Sequence, residues 1–528
     1  MHGLAALTAG QSPITAPRTV RAGYCQCNAV AQLTIQQAFD LALQHRQAGR
    51  LHEAEQICRH IVARQPKHAE AHNNLGNLLA EKGQFDEAIT TYRQAIALVP
   101  NYAEAHSNLG NALTKQGQLD EALAAYRRAI ALNPNLPDAQ SNLGAVLRTK
   151  GQLDEAIAAH RRAIALRPNF PAAHSNLGVA LRDKGQLDDA IAAYRQAIEF
   201  NPNIADLHYN LAFALLLQGD FQQGWKEHEW RWKFKEFSST RRNLAQPLWN
   251  GSDLTGRTIL LHAEQGLGDT IQFVRYVPLV AERGGKVIFG GQPQLRRLLQ
   301  GVPGIAKWLA AGEVIPPFDV HCPLLSLPLA FRTTLESIPS KLPYLFPDPE
   351  LLRAWRPKLA AYPAQLKVGV AWAGKPTHEN DRNRSMTLAQ LAPLMQVPGA
   401  RFFSLQKGEP AAQARTLPAA LRLVDWTDDL NDFADTAALI ANLDLVISVD
   451  TAVAHLAGAM GKPVWLMLPF APDWRWLLDR SDSPWYPTMR LFRQTVRAEW
   501  NSVILRIADA LSLWTKSQPP ATGSSSGE

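Results

Sequence analysis

Cysteine is scarce in this chain: four residues in 528, at Cys25, Cys27, Cys58 and Cys322. They are too few and too scattered for a disulfide framework. Cys25 and Cys27 form a lone C-x-C with no second pair at zinc spacing, so no metal site is expected. A run of about 18 apolar residues, the length a spanning helix needs, is absent. The excess of one charge is small, 54 basic against 47 acidic side chains. Such a balance suits an anionic ligand but lacks the dense basic patches of nucleic-acid binders. Residues 1–32 show no long apolar stretch after a basic start, so they are expected to be a disordered leader rather than a secretory signal. Residues 513–528 end in Pro, Ser, Gly and Thr and are expected to be a disordered tail. A cytoplasmic location is the expectation these features set.

What the chain does have is a period. Ala-His-Asn-Asn-Leu-Gly at Ala71 to Gly76 recurs with little change at Ala105, Ala139 and Ala173, always 34 residues apart. Twelve positions after each glycine stands a small residue (Ala88, Ala122, Ala156, Ala190). Four further on comes Tyr92, Tyr126, His160 or Tyr194, and Pro100, Pro134, Pro168 or Pro202 closes each unit. Such a unit is read as two antiparallel helices: small residues where they approach, glycine (Gly83, Gly117, Gly151, Gly185) at the turn, and proline as terminator. Asp86 and its equivalents are expected to cap or start the second helix. A divergent unit lies on each side, giving about six across residues 33–235, as a one-dimensional stack requires of its ends. The units resemble the tetratricopeptide repeat.

Five asparagines, Asn74, Asn108, Asn142, Asn176 and Asn210, occupy one position in successive units. Asparagine competes with the helical backbone for hydrogen bonds, so the repeat's own packing does not ask for it. Two readings stand. Each amide orders the stack by bonding a neighbouring repeat's backbone, or the ladder clamps an extended acceptor peptide in the groove. The ladder resembles that in the repeat arm of the O-linked N-acetylglucosamine transferases.

Beyond a connector at residues 236–257 the pattern becomes alternating short apolar runs and helical stretches, which argues for βαβ units and parallel sheets. Strands are expected near 258–261, 286–289, 367–372, 401–405, 443–448 and 463–468, with a helix around 270–283. Proline-rich segments at 338–349 and 356–363 separate two Rossmann-like halves, 258–350 and 364–512. In such sheets ligands bind at the carboxyl ends of strands. The expected fold is therefore an α-helical repeat solenoid followed by an α/β pair of Rossmann-like domains.

Two loops carry chemistry. His262-Ala263-Glu264-Gln265-Gly266-Leu267-Gly268-Asp269 leaves a strand and enters a helix, with Gly266 and Gly268 freeing amides at its start. Asp269 is either an N-cap or a general base at a cleft-facing strand end, and Glu264 stands next in line for that role. The second loop, Asp450-Thr451-Ala452-Val453-Ala454-His455, begins a helix whose amides, with Thr451 and His455, suit a diphosphate; a capped helix with an incidental histidine is the plainer account. Asp-Thr-x-x-x-His-Leu-Ala-x-Ala-x-Gly-Lys-Pro-Val resembles the nucleotide-sugar motif of the heptosyltransferase family of GT-B glycosyltransferases. Gly-Leu-Gly-Asp resembles that family's amino-terminal loop, whose aspartate is its proposed base. Val370 to Lys375, including Gly374, is similar to the first strand and turn of its donor half. Arg384 falls where the family usually has a phosphate-contacting lysine, and the family commonly has glycine where Ala452 stands. Lys407, on another cleft-edge loop, either pairs with phosphate or is solvated.

Repeat arm plus GT-B core looks like the tetratricopeptide-containing glycosyltransferases. The resemblance implies an inverting, metal-independent glycosyltransferase. It implies a nucleotide-diphosphate sugar as co-substrate, no cofactor, and a protein, peptide or glycan acceptor selected by the arm. The alternative is a peptide-binding scaffold whose transferase-like domain is inactive or regulatory.

Overall fold

The computed structural model describes residues 33–234, 244–310, 312–362, 366–378, 380–416, 418, 421 and 423–517. The expected leader with Cys25 and Cys27, residues 236–243 of the connector and residues 518–528 of the tail lie outside the described residues. The chain divides into two compact units, Met1–Asn176 and Leu177–Glu528.

In the first unit helices pair along the 34-residue period. They are α1 (Ile35–Gln47) with α2 (Leu51–Arg64), α3 (Ala69–Glu81) with α4 (Phe85–Leu98), α5 (Ala103–Lys115) with α6 (Leu119–Leu132), and α7 (Pro137–Thr149) with α8 (Leu153–Leu166). The glycine of the repeated motif has a plain steric reason. A Cβ on Gly76 would come within 2.6 Å of the Tyr92 ring, and one on Gly110 within 2.7 Å of Tyr126. Tyr92 and Tyr126 then spend their hydroxyls on Asn77 (2.8 Å) and Asn111 (2.7 Å). Gly83, Gly117 and Gly151 turn the chain at φ of +77°, +77° and +80°, a region that excludes most side chains. Where the motif has histidine it bonds back to the proline before it: the Nε2 atoms of His72, His106 and His174 lie 2.9, 3.1 and 3.0 Å from the carbonyls of Pro66, Pro100 and Pro168, while the remaining clean unit has Gln140 there.

Of the two roles expected for Asp86, capping or starting the second helix, it takes the second. Asp86 does not cap its helix; Gln84 holds the N-cap position without a side-chain bond, and Asp86 sits in the first turn. There it accepts a 2.6 Å bond from Gln116 of the next repeat, while Asp120 pairs with Lys150. The acidic position thus ties neighbouring repeats together and favours the positive end of the helix dipole.

The last repeats follow, with α9 (Pro171–Asp183), α10 (Leu187–Phe200), α11 (Ala205–Gln218) and the short α12 (Phe221–His228), the last three within the second unit. Two parallel sheets follow. The first has β1 (Thr258–His262), β2 (Lys286–Gly290), β3 (Ile305–Leu309) and β4 (Val320–Pro323) in the order β3-β2-β1-β4. The second has β5 (Leu366–Ala371), β6 (Ala400–Ser404), β7 (Leu423–Val424), β8 (Leu445–Val449), β9 (Val464–Leu468) and β10 (Met489–Arg493) in the order β10-β9-β8-β5-β6-β7. Parallel sheets are buried on both faces, which is why β8 and β9 read as unbroken apolar runs and are buried at every residue.

Helix boundaries differ more from expectation. The helix foreseen at 270–283 starts earlier, as α13 (Leu267–Phe273), and breaks before a second piece at Val277–Glu282 where Pro278 removes a backbone donor. Residues 356–363 are not wholly a separator, since α14 (Pro349–Ala360) runs through Pro357 and packs on α15 (Phe433–Ala441). The final helix, α17 (Asn501–Ser517), extends into the expected tail, so residues 513–517 are helical. The described part of the connector is irregular but packed: Trp249 and Leu254 lie in the core, and Trp249 donates a 2.8 Å backbone bond to His321. α16 (Ala452–Ala459) follows β8 directly.

Candidate functional site

The loops after β1 and β8 meet. Gly268 lies so close to the second loop that a Cβ there would be 2.9 Å from the His455 ring and 3.6 Å from Cα of Ala452. Only glycine allows this approach without moving the histidine. Asp269 stands third in α13, whose N-cap is Gly266, and its Oδ2 accepts the Gly266 amide at 2.8 Å. It is therefore not the N-cap; it reaches back to the cap, as the third residue of a capping box does. Its other oxygen pairs with Arg475, from the segment after β9.

Arg475 is the hub of this cluster. Its guanidinium also donates to Asp473 at 2.8 Å and to Gln272 at 2.5 Å, and it lies 4.3 Å from the Trp474 ring centroid. Burial works against its charge, yet Asp473 and Asp269 outweigh burial and raise its pKa above the usual arginine value. Asp450 accepts a 2.9 Å bond from the Trp476 indole. Burial, reinforced by repulsion from Asp473, pushes its carboxyl up to about 6.

His455 is buried, with Nδ1 2.9 Å from the Tyr486 hydroxyl, its ring stacked on Trp476, and Nε2 3.7 Å from Asp450. Burial, then Arg475, holds it well below the ordinary histidine range, so it is neutral. A neutral ring cannot supply charge to a phosphate, though it can still donate one hydrogen bond. Thr451 is the N-cap of α16 but makes no capping bond with its side chain; its hydroxyl lies 3.0 Å from that of Ser448. The first-turn amides at Ala452 thus keep their donors available, at the positive end of the helix.

The remaining candidates divide. Gly374 packs against Arg384 and Asp381, where a Cβ would come within 2.6 Å of the guanidinium, and its amide donates to Ser385 at 2.8 Å. Arg384 is close enough to lower the pKa values of both Asp450 and His455 by its charge. Lys375 is exposed, and Lys407 is tied to the Thr427 carbonyl at 2.6 Å. Glu264 is a different case. Its side chain is fully buried and pairs with Arg231 at 2.9 Å, and burial pushes it up to about 7 despite that partner. It is anchored away from solvent, a poor place for a reserve base.

In the repeats, all five ladder asparagines are half-buried. Asn108 donates to Asn73 at 3.0 Å, Asn142 to Asn111 at 2.8 Å and Asn176 to Ser141 at 3.5 Å. Their partners are side chains of the preceding repeat, not its backbone, and each bond uses one amide proton of two. The remaining donor and acceptor capacity is what a peptide would use.

From the sequence, Asp473-Trp474-Arg475-Trp476 and Trp485-Tyr486-Pro487 are expected at the cleft only for their aromatics, Arg475 is given no role of its own, and Gln272 is missed. The Trp474-Arg475-Trp476 triplet stands out for its aromatics, which hid the arginine between them. Among the described residues no group of three or more His, Cys, Asp or Glu is arranged to hold a metal ion. No helix among them is long and apolar enough to cross a membrane.

Comparison with known proteins bears on this architecture. Residues 76–117, 110–151, 146–181 and 180–219 match a TPR repeat model, and residues 57–90 a second tetratricopeptide repeat model. Residues 405–465 match glycosyltransferase family 9 (heptosyltransferase), a stretch that includes the second loop but not the first. The chain thus combines tetratricopeptide repeats with a stretch of the second sheet's half that matches the heptosyltransferase family model, and its two parallel sheets have a GT-B-like layout. Protein FlbA of Caulobacter vibrioides is 27% identical over 325 residues, covering 56% of this chain and 53% of FlbA. The match therefore spans about half of that relative's length. MamA (29% identity, 30% of this chain and 94% of that one) superposes with a TM-score of 0.29. A thermophilic TPR protein of Thermus thermophilus (26% identity, 34% and 98%) gives 0.31.

Proposed function

We propose that the protein is a glycosyltransferase that moves a sugar from a nucleoside-diphosphate donor to an acceptor selected by the repeat arm. The observation that carries this reading is the meeting of two loops: a carboxylate, Asp269, beside the amino terminus of α16. In the proposed reaction Asp269 takes the proton of an acceptor hydroxyl. That oxygen bonds to the anomeric carbon from the face opposite the leaving group, so the configuration inverts. The bond from the anomeric carbon to phosphate oxygen breaks, and the nucleoside diphosphate leaves with the electron pair. The new charge on it is met by the α16 amides, the Thr451 hydroxyl and the Arg384 guanidinium, without any step assigned to a metal. Arginine in the place of the family's lysine adds the capacity for two parallel bonds to phosphate.

The acceptor is proposed to be a protein or peptide lying along the asparagine ladder. The test is to incubate the purified chain with UDP-, GDP- and ADP-sugars and follow nucleoside-diphosphate release. Mass spectrometry of co-expressed proteins then looks for added sugar mass. Release from one nucleotide series together with a sugar adduct supports the reading; no release from any donor contradicts it.

A further inference from the structure

We infer that Arg475 is a positioning residue that fixes the orientation of Asp269 toward the acceptor hydroxyl, which rests on the reading of Asp269 as base. The two residues belong to different halves, 206 positions apart in sequence. Arg475 is held on three sides, by Gln272 at 2.5 Å, by Asp473 at 2.8 Å and by the Trp474 ring beneath it. Its guanidinium therefore presents a fixed edge to Asp269. With the Gly266 amide on the other oxygen, the carboxylate is clamped at both ends. A clamped carboxylate has one rotamer, which is what a base aimed at a hydroxyl requires.

Other charges face the pair from every side. Asp473 lies on the loop of Arg475 and Glu264 on the loop of Asp269. Asp450 and His455 stand at the head of α16, with Arg384 acting on both. Tyr209, from the last repeat helix α11, feels Asp473, Arg475 and Asp269 together. Asp269 and Asp473 thus share the Arg475 guanidinium, and Asp473 holds that cation in place for Asp269.

The test is sugar-nucleotide turnover, with kcat and donor KM measured separately on the donor that the wild type turns over fastest. Arg475→Gln loses the guanidinium edge that holds Asp269, and is expected to lower kcat while donor KM stays near wild type. Arg475→Lys keeps one donor toward Asp269 and loses the fork, so it should restore part of the loss. Asp473→Asn removes one of the holds on Arg475 and should lower kcat in the same sense but by less; it decides the matter if Arg475→Gln does not fold. Wild-type kcat in folded Arg475→Gln, or in Asp473→Asn where the first does not fold, or a rise in donor KM alone, would overturn the positioning role. Asp269→Asn run alongside separates the two claims: full turnover there overturns the base itself, whereas lost turnover there with wild-type kcat in Arg475→Gln overturns only the part given to Arg475.

Discussion

His160 shows how one residue can depart from a repeat and leave a measurable trace. It occupies the place of Tyr92 and Tyr126, with Gly144 packed against its ring as Gly76 is against Tyr92. The tyrosines reach Asn77 and Asn111, but the equivalent position here is Ala145, and among the described residues neither ring nitrogen of His160 has a hydrogen-bond partner. Burial, with a smaller push from Arg148, lowers its pKa to about 4. The folded arm therefore holds it neutral while the unfolded chain protonates it near its ordinary value. Stability is full above about pH 6.5 and falls as pH drops toward 4, by roughly 3 kcal/mol if the whole shift is expressed. The double change His160→Tyr with Ala145→Asn should raise the melting temperature at pH 5 more than at pH 8; equal gains at both would refute this. The substitution is visible in the sequence, but its cost is not, because burial and the missing partner are properties of the packed pair.

At the scale of elements, periodicity was the most legible signal. Helix ends marked by Gly83 or Pro100, and strands made of continuous apolar runs such as β8 and β9, lie within a residue or two of their expected places. Legibility fell where one local signal hid another. Pro278 splits the helix after the first loop, while Pro357 does not stop α14, whose packing on α15 outweighs a lost backbone bond. The asparagine ladder is the element whose role is most open to experiment. Each observed bond to the preceding repeat is partly exposed and replaceable, worth about 1 kcal/mol. Changing Asn108, Asn142 and Asn176 to Ala should therefore lower the melting temperature modestly. It should weaken acceptor use strongly and leave donor affinity unchanged by calorimetry. Intact acceptor kinetics in the folded triple variant would return the ladder to stacking alone. Donor affinity has its own check: Thr451→Ala and Arg384→Ala should each weaken nucleoside-diphosphate binding, by about 1–3 kcal/mol for the charged partner and less for the hydroxyl. Wild-type affinity in both would remove this loop as the diphosphate site.

At the scale of the Leu177–Glu528 unit, the last repeat and the α/β halves share one apolar core. Leu216, Phe221 and Trp225 pack in the same buried cluster as Trp249, Phe273, Trp474 and Trp485. The Trp225 indole donates to the Thr333 carbonyl at 3.1 Å and meets Trp474 edge-on at 5.3 Å. Arg231, fully buried between Glu229 and Glu264, ties the same segment to the loop that carries Asp269. The tryptophan-rich close of the repeat array, which in sequence reads only as a divergent end unit, is thus built into the wall of the candidate site. Trp225→Ala should cost about 3–5 kcal/mol, as removal of a large buried aromatic does, with a matching loss of thermal stability and activity. A variant as stable as wild type would show the shared core to be dispensable. The central claim rests on Asp269. Asparagine keeps its size and can still accept the Gly266 amide, while Asp473 continues to hold Arg475. Turnover of Asp269→Asn on a confirmed donor and acceptor, with the melting temperature measured beside it, is therefore the decisive measurement. The account predicts a drop of about 10²–10⁴-fold, the usual worth of a general base, with donor affinity and folding largely retained. Wild-type turnover in this folded variant would contradict it.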